Sequence, residues 1–126
     1  MHTVLLVDDD PTLLDLYTRV LEDMGHVVAT ASDGREALTL APRLRPHLII
    51  TDVSMPGMSG LELCQELHED AWLRTIPVIL HSGMDGVVAP PGAVFLGKTG
   101  DLATFKAAVT RALAGMTRAS RLTPAA

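Results

Sequence analysis

"TVLLVDDDPTLL", residues 3–14, decides the fold. A threonine and four apolar residues at 3–7, three of the five β-branched, read as a short buried strand. Three consecutive aspartates follow, and Pro11 then opens a helix over 11–24. Asp10 suits the N-cap, Pro11 the first helical position, and Gly25 the position just past the end. Leu13, Leu14, Tyr17, Val20, Leu21 and Met24 recur at three- and four-residue spacing and give that helix one apolar face. A buried strand leading through an acidic turn into an amphipathic helix is half of a βαβ unit.

The same alternation continues along the chain. Strands are expected at 26–31 (HVVATA), 47–51 (HLIIT), 76–81 (IPVILH) and 93–97 (AVFLG). Helices are expected at 32–44, 58–70 and 101–115, the last capped by Asp101 and stopped by Gly115. Pro42 is expected to bend the second helix or end it early. Residues 116–126 read as a flexible tail behind one domain, 1–115. Near-continuously apolar strands alternating with helices imply a doubly wound α/β fold, a parallel sheet covered on both faces. In such sheets ligands gather beyond the carboxyl ends of the strands. The residues at those ends are Asp8, Asp9 and Asp10, then Asp52, Ser82 and Lys98.

Bulk properties narrow the class. The chain has 126 residues, 48% apolar and 20% charged, with a formal net charge of -5. That suits one globular domain and argues against direct nucleic-acid binding. The basic residues are unevenly placed: Lys98, Lys106, Arg111, Arg118 and Arg121 share the C-terminal part with one acid, Asp101. Cys64 is the one cysteine, so no internal disulfide is possible, and it reads as a core thiol. No apolar run approaches the roughly 18 residues of a membrane span, and no signal-peptide pattern precedes the first strand. The expectation is a cytoplasmic protein without a membrane partner. His81 reads as a structural strand-end histidine, Trp72 as loop packing, and the scattered Met as no metal site.

Carboxylates crowded at one sheet end repel unless they take up protons or meet a cation. A hard divalent ion, Mg2+ or Mn2+, is the simple counter-charge. Lys98 adds a fixed positive charge and Ser82 a hydroxyl. Such a set suits phosphoryl transfer, with Asp52 able to act as nucleophile.

"LLVDDD", "IITDVSMPGMSG", "IPVILHSG" and "VFLGK" occur in this order, and with them the chain resembles the receiver domain of two-component response regulators over about residues 3–115. The resemblance implies a flavodoxin-like sheet of five parallel strands in the order 2-1-3-4-5. It implies that Asp8 and Asp9 hold Mg2+ together with Asp52 and the Ser54 backbone carbonyl. Asp52 then accepts a phosphoryl group from a histidine kinase or histidine phosphotransfer protein. Ser82 and Lys98 contact that group, and Phe95 is the aromatic switch beside Ser82. Ser54 and Met84 occupy the positions that tune aspartyl-phosphate lifetime. Such a protein transfers phosphate to itself and slowly loses it, and is not a turnover enzyme. It signals to a downstream protein, of a kind the sequence does not name, through a changed surface.

Two features depart from that family. Thr99 stands where a cis-bonded proline usually follows the lysine. A cis bond to a non-proline residue costs about 2.5–4 kcal/mol, so either a strained cis bond or a trans loop with a displaced Lys98 is expected. The stretch "GMDGVVAPPG", residues 83–92, replaces a helix with dense Gly and Pro. The helix between the fourth and fifth strands is therefore expected to be missing or reduced to about one turn.

The leading reading is a stand-alone phospho-accepting receiver. "VDDDPT" also fits a small phosphohydrolase of the haloacid-dehalogenase type, with Asp8 as nucleophile and Asp10 as acid/base. A third reading is a receiver-like binding module that works without phosphorylation.

Overall fold

The computed structural model describes residues 1–122 apart from 85 and 100. Its elements are β1 (Thr3–Val7), α1 (Pro11–Asp23), β2 (Val27–Ala31), α2 (Gly34–Leu44), β3 (Leu48–Thr51) and α3 (Gly60–His68). After a short 3-10 turn at Leu73–Thr75 come β4 (Val78–Ser82), β5 (Ala93–Gly97) and α4 (Leu102–Leu122). All strand pairs are parallel, as the apolar strands imply, and the order is β2-β1-β3-β4-β5, as the family resemblance implies.

Alternation along the strands divides the core in two. Leu5, Val7, Ile49, Val78 and Leu80 face α2 and α3, where Ala37, Ala41, Leu63 and Leu67 complete the packing. Val4, Leu6, Leu48, Ile50 and Ile79 face the other way, against Tyr17, Val20 and Leu21 of α1 and Phe105, Val109 and Leu113 of α4. The strands are apolar throughout because both faces are covered.

Local signals set the ends of the elements. Asp10 caps α1 by accepting the Thr12 N–H at 2.9 Å. Ser59 and Glu62 form a reciprocal capping box on α3. The second helix ends at Leu44, where it is expected to end, whereas the stop expected at Gly115 does not occur. α2 continues through Pro42 to Leu44 and closes on Arg45 in the left-handed conformation. Pro42 lies in the last turn, where its missing N–H costs one bond, and burial of Ala37 and Ala41 holds the helix to the sheet. α4 likewise continues through Gly115 to Leu122. A helical glycine costs only about 1 kcal/mol relative to Ala, and Ala, Met, Arg and Leu around it favour helix. The expected tail from 116 is thus helical as far as 122, and its last residues, 123–126, lie outside the described residues.

No helix occurs among the described residues between β4 and β5, as expected from their Gly and Pro content. Pro90, Pro91, Gly92 and Ala93 instead make a turn closed by the Ala93 N–H on the Pro90 carbonyl at 3.0 Å, with Gly92 at a φ of 85°. Proline second and a left-handed glycine third is the type II arrangement. Val87 and Ala89 of this crossover pack on the α2/α3 side of the core.

At the amino end of the sheet, His2, His26 and His47 stand on neighbouring chain segments. The His2 ring lies 5.7 Å from His26 and 5.1 Å from His47, centroid to centroid. His26 Nδ1 accepts the His2 N–H at 3.3 Å, and His47 Nδ1 accepts the Thr3 N–H at 3.0 Å. Those bonds need unprotonated Nδ1 atoms. Burial, then neighbouring positive charge, lowers the pKa of His2 and of His26, and burial drives His81 down to about 4. The unfolded chain therefore binds more protons than the folded one below about pH 6.5. Stability is expected to be flat from pH 8 to 7 and to fall from about pH 6.5 toward 4. Urea midpoints across that range test this, and His26→Asn, whose side-chain carbonyl replaces Nδ1, should flatten part of the slope.

Candidate functional site

The carboxyl ends of β1, β3, β4 and β5 bring together residues far apart in the chain. Hydrogen bonding in register continues one residue past each strand. The Asp8 N–H donates to the Ala31 carbonyl at 3.1 Å, the Asp52 N–H to the Val7 carbonyl at 3.0 Å, and the Lys98 N–H to the Ser82 carbonyl at 2.8 Å. Each functional side chain therefore starts from backbone held by the sheet itself.

Lys98 Nζ lies 3.0 Å from Asp8 Oδ2 and 3.5 Å from Asp52 Oδ2. Asp8 is buried, Asp52 half-buried and Asp9 exposed, and one oxygen from each lies within 4.8 Å of the others. Oxygen donors at this spacing suit a hard divalent cation, and no softer ligand shares the cluster. Burial, with the charge of Asp8, raises the Asp52 pKa, against the opposing pull of Lys98 and the backbone N–H groups of Val53 and Ser54. The Val53 N–H reaches Asp52 Oδ1 at 2.8 Å. Burial works against the Lys98 ammonium, but the hydrogen bond it donates to Asp8 and the charges of Asp8 and Asp52 outweigh it and raise its pKa.

Other residues singled out in the sequence lie around this centre. Ser82 is buried, and its Oγ accepts the Met84 N–H at 3.1 Å. Ser54 and Met84 are exposed, so solvent reaches both flanks. Phe95 pairs with Leu80 across the β4–β5 register and packs half-buried on the α2/α3 side, alongside Val87 and Ala89. Asp10 stands apart from the acidic cluster because its Oδ1 is committed to the Thr12 and Leu13 N–H groups. The hydrolase reading needs that carboxylate as its acid/base. The Lys98–Thr99 bond is trans. With the trans bond, Lys98 Nζ reaches both Asp8 and Asp52, and the β4–β5 hydrogen bond at its own N–H fixes where its side chain starts.

Gly60 belongs to the site, although sequence reasoning gave it no role. Its N–H donates to the Val53 carbonyl at 2.8 Å, and a Cβ there would overlap the Asp52 backbone carbonyl. The signal was available as the last residue of "PGMSG", where a capped helix starts eight positions after the acid.

Two substitutions test the geometry. Gly60→Ala must displace the loop carrying Asp52, and overpacking of this kind costs about 1–3 kcal/mol; a lower urea midpoint and weaker Mg2+ binding are expected together. Lys98→Met removes the cation from a largely buried pair. The loss without metal should be on the order of 2 kcal/mol, below the about 3–5 kcal/mol of a fully buried pair, and added Mg2+ should recover more stability than in the parent chain.

Comparison with known proteins agrees with this geometry. The response regulator receiver domain family matches residues 4–97. Protein PilH of Pseudomonas aeruginosa is 36% identical over 85 residues, covering 68% of this chain and 70% of PilH. The DNA-binding response regulator MtrA of Mycolicibacterium smegmatis is 37% identical over 99 residues, 70% of this chain but 43% of MtrA, so this chain spans less than half the length of that relative. The chemotaxis protein CheY4 of Vibrio cholerae superposes with a TM-score of 0.81 at 30% identity, covering 90% of this chain and 99% of CheY4. The response regulator TrrA of Thermotoga maritima, solved with Mg2+-BeF, gives 0.81 at 27% identity over 90% of this chain and 100% of TrrA. A five-stranded parallel sheet carrying an acidic cluster and a lysine at its carboxyl end, matched over most of its length, places this chain in the response regulator receiver domain family.

Proposed function

We propose that this chain is a phospho-accepting receiver whose acceptor is Asp52. The observation that carries the reading is Lys98 Nζ within 3.0 Å of Asp8 and 3.5 Å of Asp52, beside a three-carboxylate cluster. An oxygen of ionised Asp52 attacks phosphorus. The phosphorus bond to the donor, the imidazole nitrogen of a phosphohistidine or the oxygen of an acyl phosphate, breaks, and the donor leaves with that electron pair. The donor protein is a histidine kinase or a histidine phosphotransfer protein.

Asp8, Asp9, Asp52 and the Ser54 carbonyl are the ligands for Mg2+, with Mn2+ as substitute; bound there, the ion neutralises charge on the acceptor and on the incoming phosphoryl group. Lys98 supplies the second positive charge and pairs with a phosphoryl oxygen, leaving Asp8 to the metal. Ser82 donates its Oγ–H to a phosphoryl oxygen. Ser54 and Met84, exposed on the two flanks, set how easily water reaches the phosphorus and hence the lifetime of the adduct. Phosphorylation adds about 1.5–2 negative charges, enough to bias a two-state surface toward a downstream protein. The receiver unit is residues 1–115, working in the cytoplasm; no helix among the described residues is long and apolar enough to cross a membrane.

Intact mass after incubation with acetyl phosphate and Mg2+ should show one added phosphoryl group. Asp52→Asn should abolish it, and Asp8→Asn should reduce it strongly while leaving a trace at high Mg2+. An adduct retained in Asp52→Asn but lost in Asp8→Asn would restore the hydrolase-type reading. No adduct on the parent chain would favour a phosphorylation-independent binding module.

A further inference from the structure

Three rings close a triangle behind Ser82. His81 of β4, Tyr17 of α1 and Phe105 of α4 are all buried. The Tyr17 and His81 centroids are 4.8 Å apart and edge-on, Tyr17 and Phe105 4.7 Å, and His81 and Phe105 5.2 Å. Tyr17 is the chain's one tyrosine and Phe105 one of its two phenylalanines, so half of its four Phe, Tyr and Trp residues meet here. An aliphatic side chain would serve burial at this strand position without the desolvation a buried imidazole suffers.

His81 also borders the site in the chain. It immediately precedes Ser82, whose carbonyl takes the Lys98 N–H at 2.8 Å. Burial first, then the charge of Lys98, opposes protonation of the ring, and the charge of Asp8 favours it. On the opposite face, Phe95 packs on the same core cluster as Val87 and Ala89 of a crossover that has no helix among its described residues.

We propose that His81 is a positioning residue that couples the state of Asp52 to the packing of α1 against α4. The inference rests on the phospho-acceptor reading above. When Ser82 and Lys98 turn to phosphoryl oxygens, the end of β4 moves with them and carries the His81 ring. A close-packed ring triangle has few alternative arrangements and does not deform continuously. Tyr17 and Phe105 repack, and α4 shifts on α1.

The test uses the full chain with 3-fluorotyrosine at Tyr17, Mg2+ and beryllofluoride, so that one 19F spectrum reports both the bound fluoride and the ring. In the parent chain and in His81→Phe, the adduct should form and the Tyr17 resonance should shift. In His81→Val, the adduct should still form while the Tyr17 resonance stays in place. Hydrogen exchange over 105–113 should change on adduct formation in the parent chain and not in His81→Val. Phe105→Leu gives an independent check: Tyr17 should still respond, but exchange in α4 should not. An equal Tyr17 shift in His81→Val, or no shift in the parent chain with the adduct present, overturns the coupling. Failure of the parent chain to form any adduct overturns the phospho-acceptor reading and this inference with it.

Discussion

The balance between one ammonium and the carboxylates around it governs the rest of the structure. Lys98 touches Asp8 and Asp52 at once, from a strand end two places away from β3 in the sheet. Without that cation, two largely buried carboxylates would face each other at the end of the core, a situation that protonation or unfolding relieves. With it, Asp52 keeps a raised pKa and an incomplete set of counter-charges. One positive charge for three carboxylates is a deficit, and the deficit is what makes the site receptive to a divalent ion. The register of the sheet sets this balance, since Asp8, Asp52 and Lys98 each start from a backbone hydrogen bond one step beyond a strand.

The crossover between β4 and β5 shows what the sheet needs and what it can do without. Ten residues, 83–92, join two parallel strands, fewer than the dozen or more such a connection usually takes. A type II turn at Pro91 and Gly92 delivers the chain to Ala93 in register, and Val87 with Ala89 covers the sheet where a helix might lie. The placement of Lys98 is thus independent of any helix on that side. The same economy leaves Phe95 covered by loop, whereas His81 is enclosed by two helices.

Much of this was legible in the residues. Apolar runs ending in Asp, Ser or Lys marked the strands and placed the chemistry at one sheet end, because strands buried on both faces admit little else. Asp10 before Pro11 identified its own role, since capping is local. The errors came where tertiary packing overrides local preference. Gly115 is a breaker by propensity, yet it lies in a helix whose good helix-forming neighbours decide the outcome, while Pro42 is carried in the last turn of a helix that ends at Leu44 as expected. The close approach at Gly60, hinted at only by its place in "PGMSG", and the His81 triangle were missed for a different reason. Their meaning depends on a backbone carbonyl at Asp52 and on rings at Tyr17 and Phe105, contacts that no spacing along the chain encodes. The trans bond at Thr99 belongs here too, because the sheet rather than the loop positions the lysine.

The two ends of the sheet respond to protons with opposite sign. At the amino end, His2 and His26 are held neutral, with lowered pKa values, so acid works against the folded state there. At the carboxyl end, the Asp52 pKa is raised, so acid relieves repulsion and favours the folded state as pH falls through that value. A bound divalent ion does at neutral pH what protons do at low pH: it supplies positive charge among Asp8, Asp9 and Asp52. The core formed by the strands and four helices holds Asp8 and Asp52 together against their mutual repulsion. A receiver needs that arrangement, because a site already satisfied by its own residues would gain nothing from metal or phosphoryl group, and a surface indifferent to both could carry no signal.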